Sequence, residues 1–410
     1  MSQELDTKLS ETGTRFRVYP QNKNLKGFNE PELIYINSKP GTIKAGPQDD
    51  RMYVIDAKNK NPYDHPYLPP YSGQHYPNVE PDSEGHFDYI DPKDRAFGST
   101  SMYASIRRVL DIWEDYFGKA IPWFFRAHYS RLEIIPRIVW NNAHAGYGFI
   151  EFGFPRKNHL STDFENPYCE NFDVVAHELG HIIKYEVIGF PDSEESETYE
   201  YGGHHEAFGD LISIVSLLHF DSVLNHLLDN TKGNLFSINE LSRVGELNES
   251  ESIRSVFNDM KMSDMLDVTE EHDLSLPFSG GAFDVLVEIY EHNLIEQGTI
   301  PENLAKRSYH ADEVELPGIE EEFKQHFKDK KEEFKTALLD ARDYFGKLMA
   351  LTWDKTSPNN LYYSKVVTNM IDADMELSNG KYSKIIRDCF EWREIIKSID
   401  NNLLRTWRVN

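Results

Sequence analysis

Two histidines and a glutamate occur at a spacing that suits metal-assisted hydrolysis. The segment NFDVVAHELGHIIKYE places His177 and His181 four residues apart, with Glu178 directly after the first histidine. On a helix, positions four apart lie on one face about one turn from each other, so both imidazoles can bind a single Zn²⁺. Glu178 then lies beside the metal without binding it, where it can act as general base for a zinc-activated water.

The apolar residues around this motif predict a buried helix over 171–189. Two histidines and a glutamate in a buried helix need partners, and a metal ion supplies one. The longer metzincin form of the motif is excluded, because Lys184 and Val187 occupy the positions of its glycine and its third histidine. A catalytic zinc therefore needs a third protein ligand from elsewhere in the chain, with a fourth position open for water.

Two carboxylates in a second apolar segment can complete such a site. The segment YGGHHEAFGDLISIVSLLHF places Glu206 and Asp210 four residues apart in a predicted helix over 204–220. We expect Glu206 to be the third zinc ligand and Asp210 to accept the remaining N–H of a ligand histidine. His204 and His205 stay open as alternative third ligands, because an imidazole nitrogen suits zinc as well as a carboxylate does.

Residue periodicity places these segments in an α+β chain. Apolar residues at helical spacing predict a helix over 101–117, and β-rich runs predict strands at 132–140 and 146–154, joined by NNAHA. The later predicted helices lie at 222–230, 282–294, 320–352, 361–373 and 381–397.

The same pattern divides the chain into three parts. Residues 1–95 are rich in Pro, Tyr, Asn and Asp, so we expect loops and short strands packed on the body, with disorder at the extreme N-terminus. Residues 96–189 predict an α+β lobe that ends in the zinc helix. Residues 190–410 predict a mainly helical lobe.

The charge of the chain narrows the classes of partner. Its 410 residues include 69 Asp and Glu against 43 Lys and Arg, a net charge of −26, which disfavours nucleic acid and membrane surfaces. Cys169 and Cys389 are too few for a disulfide framework, and the N-terminus lacks the apolar region of a signal peptide. We expect a cytoplasmic protein that acts on a peptide or protein. Export without a cleaved signal, and any protein partner, stay open.

Both motif segments resemble those of gluzincin metallopeptidases, the thermolysin-like enzymes in particular. DVVAHELGH is similar to their D-V-V-x-H-E-x-T-H, with Gly180 in the place of Thr, and HEAFGD is similar to their N-E-A-x-S-D. HEAFGDLISIVSLLHF is most similar to a group of bacterial, apparently intracellular, thermolysin-like proteins of undefined substrate. The resemblance implies an α+β, two-lobe metallopeptidase with a sheet-containing N-terminal lobe, a helical C-terminal lobe and one zinc in the cleft between them.

Further segments in matching order extend the resemblance to substrate binding. NNAHAGYGFIEFG resembles the edge strand on which these enzymes lay the substrate, and implies that Asn142 and Ala143 contact its main chain. VGELNESESIRSVFND resembles a segment whose arginine braces the substrate carbonyl, a role that falls on Arg254.

Other positions depart from the family pattern. In these enzymes a histidine stabilises the oxyanion. His272 is the only histidine near the matching position here, but it lies seven residues before Ser279 rather than three. The alternative is that His272 is a surface histidine in a loop. The tyrosine that assists it has two candidates, Tyr199 and Tyr201. Leu217 occupies the position of a calcium-binding carboxylate, so we expect the double calcium site of secreted relatives to be absent.

These features predict a zinc peptidase, either an endopeptidase or an oligopeptidase. An aminopeptidase of the same zinc class is one alternative, although the sequence has no G-A-M-E-N-like motif to anchor an α-amine. A zinc-stabilised binding or toxin-like scaffold without turnover is the other. The intact Glu178 disfavours the scaffold, since a structural zinc does not need that carboxylate.

Overall fold

The computed structural model describes residues 2–64, 68–158, 161–236, 243–244, 254–255, 258–310 and 314–397. The chain divides into two units. The first comprises Met1–Gly189 and Phe208–Arg254, and the second comprises Phe190–Ala207 and Ser255–Asn410. The mixed α+β class expected from the sequence is confirmed.

The first unit begins with a helix where the sequence predicted disorder. Helix α1 (Ser2–Thr12) buries Leu5 and Leu9, one turn apart, so its apolar face is covered although the segment as a whole is polar. The prediction of a disordered N-terminus is therefore wrong. Strands β1 (Thr14–Val18) and β2 (Glu32–Ile36) follow and pair antiparallel.

A four-stranded sheet and two long helices form the centre of this unit. In chain order its elements are β3 (Met52–Val54), α2 (Arg95–Phe117), β4 (Leu132–Ile135), β5 (Ala143–Gly146), β6 (Phe149–Phe152), the paired strands β7 (Arg156–Asn158) and β8 (Ser161–Thr162), and α3 (Phe172–Val187). The four-stranded sheet has the order β3-β4-β6-β5, with β5 antiparallel to β6 and the other neighbours parallel. Helices α2 and α3 pack against each other, and α3 also lies against β5.

Two predicted elements of this region differ in extent from the observed ones. Helix α2 starts six residues before the predicted 101, because the Asp94 side chain caps it by accepting the backbone N–H of Ala96. The NNAHA segment, expected to be a connection, contributes to β5, and a two-residue loop, Tyr147–Gly148, joins it to β6. Gly148 has a φ of +94°, a conformation that glycine adopts without strain.

The Pro- and Tyr-rich segment of the first unit covers one face of the sheet. Its apolar side chains pack with sheet residues in a cluster formed by Ala57, Tyr63, Ile135, Ile138 and Phe149, flanked by Ile55, Tyr71 and Trp140.

Two fully buried carboxylates of the sheet accept hydrogen bonds, one from strand β3 and one from the segment that follows it. The Tyr53 hydroxyl donates to Glu133 at 2.8 Å, and the Lys60 ammonium donates to Glu151 at 2.5 Å. The sheet therefore carries a hydrogen-bonded polar layer.

Helix α4 (Tyr199–Leu217) and helix α5 (Asp221–Thr231) follow α3 in the chain. No single helix of the described residues is long and apolar enough to cross a membrane. Helices α4 and α5 pass that test only as a pair, and a 93° bend separates them. Strands β9 (Arg243–Val244) and β10 (Arg254–Ser255) pair with each other.

The second unit is built mainly of helices, of which α6, α9, α10 and α11 pack on one another. The later helices are α6 (Glu271–Glu296), α7 (Glu302–His310), α8 (Leu316–Lys328), α9 (Lys331–Asp354), α10 (Tyr363–Ser378) and α11 (Ser383–Trp392). The prediction of one helix over 320–352 is wrong, since α8 and α9 are separate, and α7 was not predicted.

Helix α6 begins eleven residues before the predicted 282, through a stretch that contains Pro277, Gly280 and Gly281. Such residues usually end a helix. Here a Cβ at Gly280 would lie 2.7 Å from the Arg393 guanidinium, and one at Gly281 would lie 2.7 Å from the Phe390 ring. The glycines allow close packing against the C-terminal segment, so tertiary contacts outweigh local propensity.

Candidate metal centre

The predicted zinc motif lies on α3, which forms over Phe172–Val187 as the apolar periodicity indicated. His177, Glu178 and His181 each offer a donor atom, and these three atoms lie within 4.8 Å of one another. The two imidazole rings are 4.6 Å apart and almost perpendicular. His177 is buried, whereas Glu178 and His181 are half-buried. The i,i+4 spacing therefore brings both histidines together on a face that solvent reaches.

A carboxylate from the next helix holds the first histidine. Nδ1 of His177 lies 3.0 Å from Oδ1 of Asp210, and both side chains are almost fully buried. A histidine that binds a metal through one ring nitrogen commonly donates the N–H of its other nitrogen to a carboxylate, which fixes the tautomer and the ring orientation. Two histidines on one helix face, one of them in contact with a carboxylate, are side chains that fit a zinc site.

Two glycines allow the helices to come close enough for this contact. A Cβ at Gly180 would lie 2.8 Å from Cα of Gly209, and a Cβ at Gly209 would lie 2.7 Å from Nδ1 and Cε1 of His177. Neither position accepts a larger residue without movement of the backbone or of the imidazole ring. Close helix packing thus explains why glycine occupies position 180.

The predicted third ligand and the predicted oxyanion histidine lie together in the second unit. Glu206 is buried on α4, and its Oε2 is 3.3 Å from Nε2 of His272. His272 occupies the first turn of α6, not a loop, and is half-exposed, and its Nδ1 contacts Glu270. Burial alone would raise the pKa of Glu270, but the hydrogen bonds from His272 and from the Asp273 N–H outweigh burial and lower that pKa.

The alternative third ligands occupy other sides of α4. His204 is fully buried, and its ring is 5.3 Å from that of Phe278. Positions two apart on a helix differ by about 200°, so His204 lies nearly opposite Glu206, and His205 differs from Glu206 by about 100°. Along the helix, Glu206 therefore lies on the same side as Asp210, four residues later, and the two histidines lie on other sides.

Asn142 and Ala143 lie at the start of strand β5. Within the described strands, β5 pairs with β6 on one side only, so its other side is an open edge. Ala143 is the first residue of β5 and is almost buried, whereas Asn142 is exposed. The Asn142 side-chain oxygen accepts the backbone N–H of Ala143 at 2.9 Å.

The remaining candidates differ in exposure or in how far they are described. Tyr199, the first residue of α4, is 74% exposed, whereas Tyr201 is buried. Arg254 belongs to β10, but its side chain lies outside the described part of the chain, so its role stays a prediction. Leu217 is buried at the end of α4.

Comparison with solved structures identifies the fold. No protein-family model matches the chain, and no curated protein matches its sequence. Among solved structures, the chain is similar to the precursor of protealysin, a metalloproteinase from Serratia proteamaculans, with a TM-score of 0.50 and 13% sequence identity over 88% of this chain and 91% of that chain. The fold is that of a thermolysin-like metalloproteinase.

Sequence reasoning missed two features of the first unit. One is the pair Gly180 and Gly209, although the sequence already showed a small residue at each of these helix positions. The other is His144 on β5, whose Nε2 lies 2.6 Å from the buried Glu151 on β6. No local signal identifies His144, because the register that brings the two residues together follows from the hairpin.

Proposed function

We propose that this protein is a zinc-dependent peptidase that hydrolyses peptide bonds as an endopeptidase or oligopeptidase. The contact between His177 and Asp210 carries the proposal, because it gives a motif histidine the carboxylate partner that zinc-binding histidines use. The group formed by His177, Glu178 and His181, and the metalloproteinase fold, support the same reading.

We assign the roles as follows. His177 and His181 would bind the zinc, and Glu206 would be its third ligand. Asp210 orients His177, with Nε2 as the ligating nitrogen of that ring. Zinc bound there would polarise the scissile carbonyl and lower the pKa of a bound water towards neutrality. Glu178 takes the proton of the attacking water and later passes it to the leaving amine.

The substrate lies along β5, where Asn142 and Ala143 contact its main chain. His272 and Arg254 stabilise the negative charge that develops on the scissile carbonyl oxygen, and either Tyr199 or Tyr201 assists them. The 3.3 Å separation of His272 from Glu206 supports the first of these assignments, because it puts His272 beside the proposed third ligand. The exposure of Tyr199 makes it the more accessible of the two tyrosines.

Glu178→Gln tests the proposal most directly. We expect this variant to retain one zinc per chain, measured by elemental analysis, and to lose roughly 10²–10⁴-fold in kcat/KM on peptides that the parent protein cleaves. Glu186→Gln is the matched control, because Glu186 lies on the same helix and contacts Arg126. Equal cleavage by Glu178→Gln and the parent would disprove the assigned mechanism.

A peptide library with free and blocked N-termini identifies the kind of peptidase. An endopeptidase or oligopeptidase cleaves blocked peptides, whereas an aminopeptidase needs the free α-amine. If the parent protein binds zinc stoichiometrically and cleaves no member of the library, the peptidase proposal fails, and a zinc-stabilised binding role replaces it.

A further inference from the structure

Three aromatic side chains of the first unit form a continuous surface at the end of β5. The ring of Phe124 lies 5.4 Å from that of Tyr147 and 5.2 Å from that of Tyr185. Tyr147 belongs to the loop between β5 and β6, and Tyr185 belongs to α3. We call these three residues the aromatic surface. It joins the end of the edge strand to the helix that carries the metal motif.

The aromatic surface is accessible and rests on a rigid base. Tyr147 is 37% exposed, and Phe124 and Tyr185 are half-buried. Beneath them, Trp123 and Phe125 are buried and stacked at 5.6 Å. Partly exposed aromatic groups on a packed base are typical of sites that bind apolar side chains.

A hydrogen bond and ring packing fix the position of Tyr147. Its hydroxyl lies 2.6 Å from Nδ1 of His128, and its ring is 5.8 Å from that of Tyr129. A Cβ at Gly148 would lie 2.5 Å from the Tyr129 ring, so the glycine lets that ring pack directly on the loop. The loop therefore holds Tyr147 in one place instead of letting it move freely.

The distance along α3 places this surface within reach of a bound peptide. Tyr185 follows His181 by four residues, which puts both on one face of the helix about 6 Å apart along its axis. An extended peptide advances about 3.3 Å per residue, so Tyr185 lies about two residues from a bond cleaved beside His181. Tyr147 follows Ala143 by four residues along β5 and belongs to the same surface, because Phe124 contacts both Tyr147 and Tyr185.

We propose that the aromatic surface binds a large apolar side chain of the substrate, two to four residues on the N-terminal side of the scissile bond. This inference rests on the proposed peptidase function. Antiparallel pairing is the commoner arrangement and is the one β5 already makes with β6. A peptide antiparallel to β5 runs from Tyr147 towards Asn142, so the residues before the scissile bond face the aromatic surface.

Internally quenched peptides, blocked at both ends and sharing one scissile bond, test this assignment. They carry Ala, Leu or Phe at the second, third or fourth residue before that bond. We expect the parent protein to prefer Phe or Leu over Ala by about tenfold in kcat/KM at one of these positions. In Tyr185→Ala and in Tyr147→Ser the ratio should fall to near one. Tyr147→Ser changes an exposed loop residue, so it reports on the surface even if Tyr185→Ala fails to fold.

Tyr89→Ala is the matched control, because Tyr89 is also an exposed tyrosine of the first unit and donates its hydroxyl to the carbonyl of Glu80. We expect Tyr89→Ala to keep the tenfold preference. An unchanged ratio in both aromatic-surface variants, or a preference found only after the scissile bond, overturns the subsite and leaves the peptidase proposal standing.

Binding of the uncut peptides to zinc-loaded Glu178→Gln, measured by calorimetry, separates the two proposals. The parent protein could cleave no peptide and still bind the Phe peptide about tenfold more tightly than the Ala peptide. If Tyr147→Ser in the same background then removes that difference in binding, the subsite stands and the peptidase proposal fails. If the parent cleaves nothing and binding shows no preference, both proposals are overturned.

Discussion

Nδ1 of His177 lies 3.0 Å from Oδ1 of Asp210, and this contact ties the metal motif on α3 to the following helix α4. Both side chains are nearly inaccessible to solvent. A buried histidine and a buried carboxylate stabilise each other only while the geometry holds, since each alone would be an uncompensated polar group. The pair therefore fixes the orientation of the imidazole before any metal binds.

The first prediction follows from this contact. Asp210→Ala leaves His177 without the carboxylate that orients it, so we expect the affinity for zinc to fall by roughly 10–100-fold, measured by competition with a chromophoric chelator. Ser213→Ala is the control, because Ser213 is equally buried on α4 and donates to the backbone carbonyl of Asp173 on α3. An affinity loss of the same size in both variants would show that helix packing in general, and not the carboxylate, sets zinc affinity.

The second prediction concerns the close approach of α3 and α4. Gly209→Ala adds a Cβ 2.7 Å from the His177 ring, so the ring or the helix must shift. We expect this variant to lose zinc affinity and about 1–3 kcal/mol of unfolding free energy, measured by denaturant titration of the metal-free protein.

Gly318→Ala is the control for that substitution. Gly318 lies in helix α8, and a Cβ there would meet nothing within 4 Å. The same change should stabilise the protein by about 0.4–1 kcal/mol, because alanine reduces the entropy of the unfolded chain without straining the helix. If the Gly209→Ala variant proves as stable as the Gly318→Ala variant, helices α3 and α4 have room to adjust.

The centre was predictable from sequence where its residues are close in the chain. His177, Glu178 and His181 share one helix, and Asp210 follows Glu206 by four residues, so helical spacing alone indicated which faces carry them. Helices with strong apolar periodicity, such as α3, formed within two residues of their predicted ends.

Other parts of the structure depend on contacts that a linear pattern does not encode. The glycines of α6 would end an isolated helix, but they permit packing against Arg393, more than a hundred residues later in the chain. Glu133 and Glu151 lie in strands whose other residues are apolar, and their partners Tyr53 and Lys60 are 80 and 91 residues away. The polar layer of the sheet was therefore not predicted.

The third prediction concerns a buried carboxylate of the second unit. Glu291 on α6 is 1% exposed, and its Oε1 has no hydrogen-bond partner among the described residues. Burial, with the nearby charge of Glu288 as a second cause, raises the pKa of Glu291 well above its usual value, and burial likewise raises the pKa of Glu288 to about 7. Since the folded state retains these protons to a higher pH than the unfolded chain, stability falls as pH rises above about 4.5.

Glu291→Met should remove the contribution of Glu291 to this loss. The substitution keeps a similar volume without polar atoms, so we expect a gain of about 1–3 kcal/mol in unfolding free energy at pH 8 and a smaller gain at pH 5, from urea titrations at both values. Glu296→Met is the control on the same helix. There the hydrogen bond from Lys381, outweighing the opposing effect of burial, lowers the pKa of a half-exposed carboxylate, so the substitution should lose a few tenths of a kcal/mol at pH 8. A Glu291→Met gain that is equal at pH 5 and pH 8 would show that the pKa of Glu291 is not raised in the folded protein.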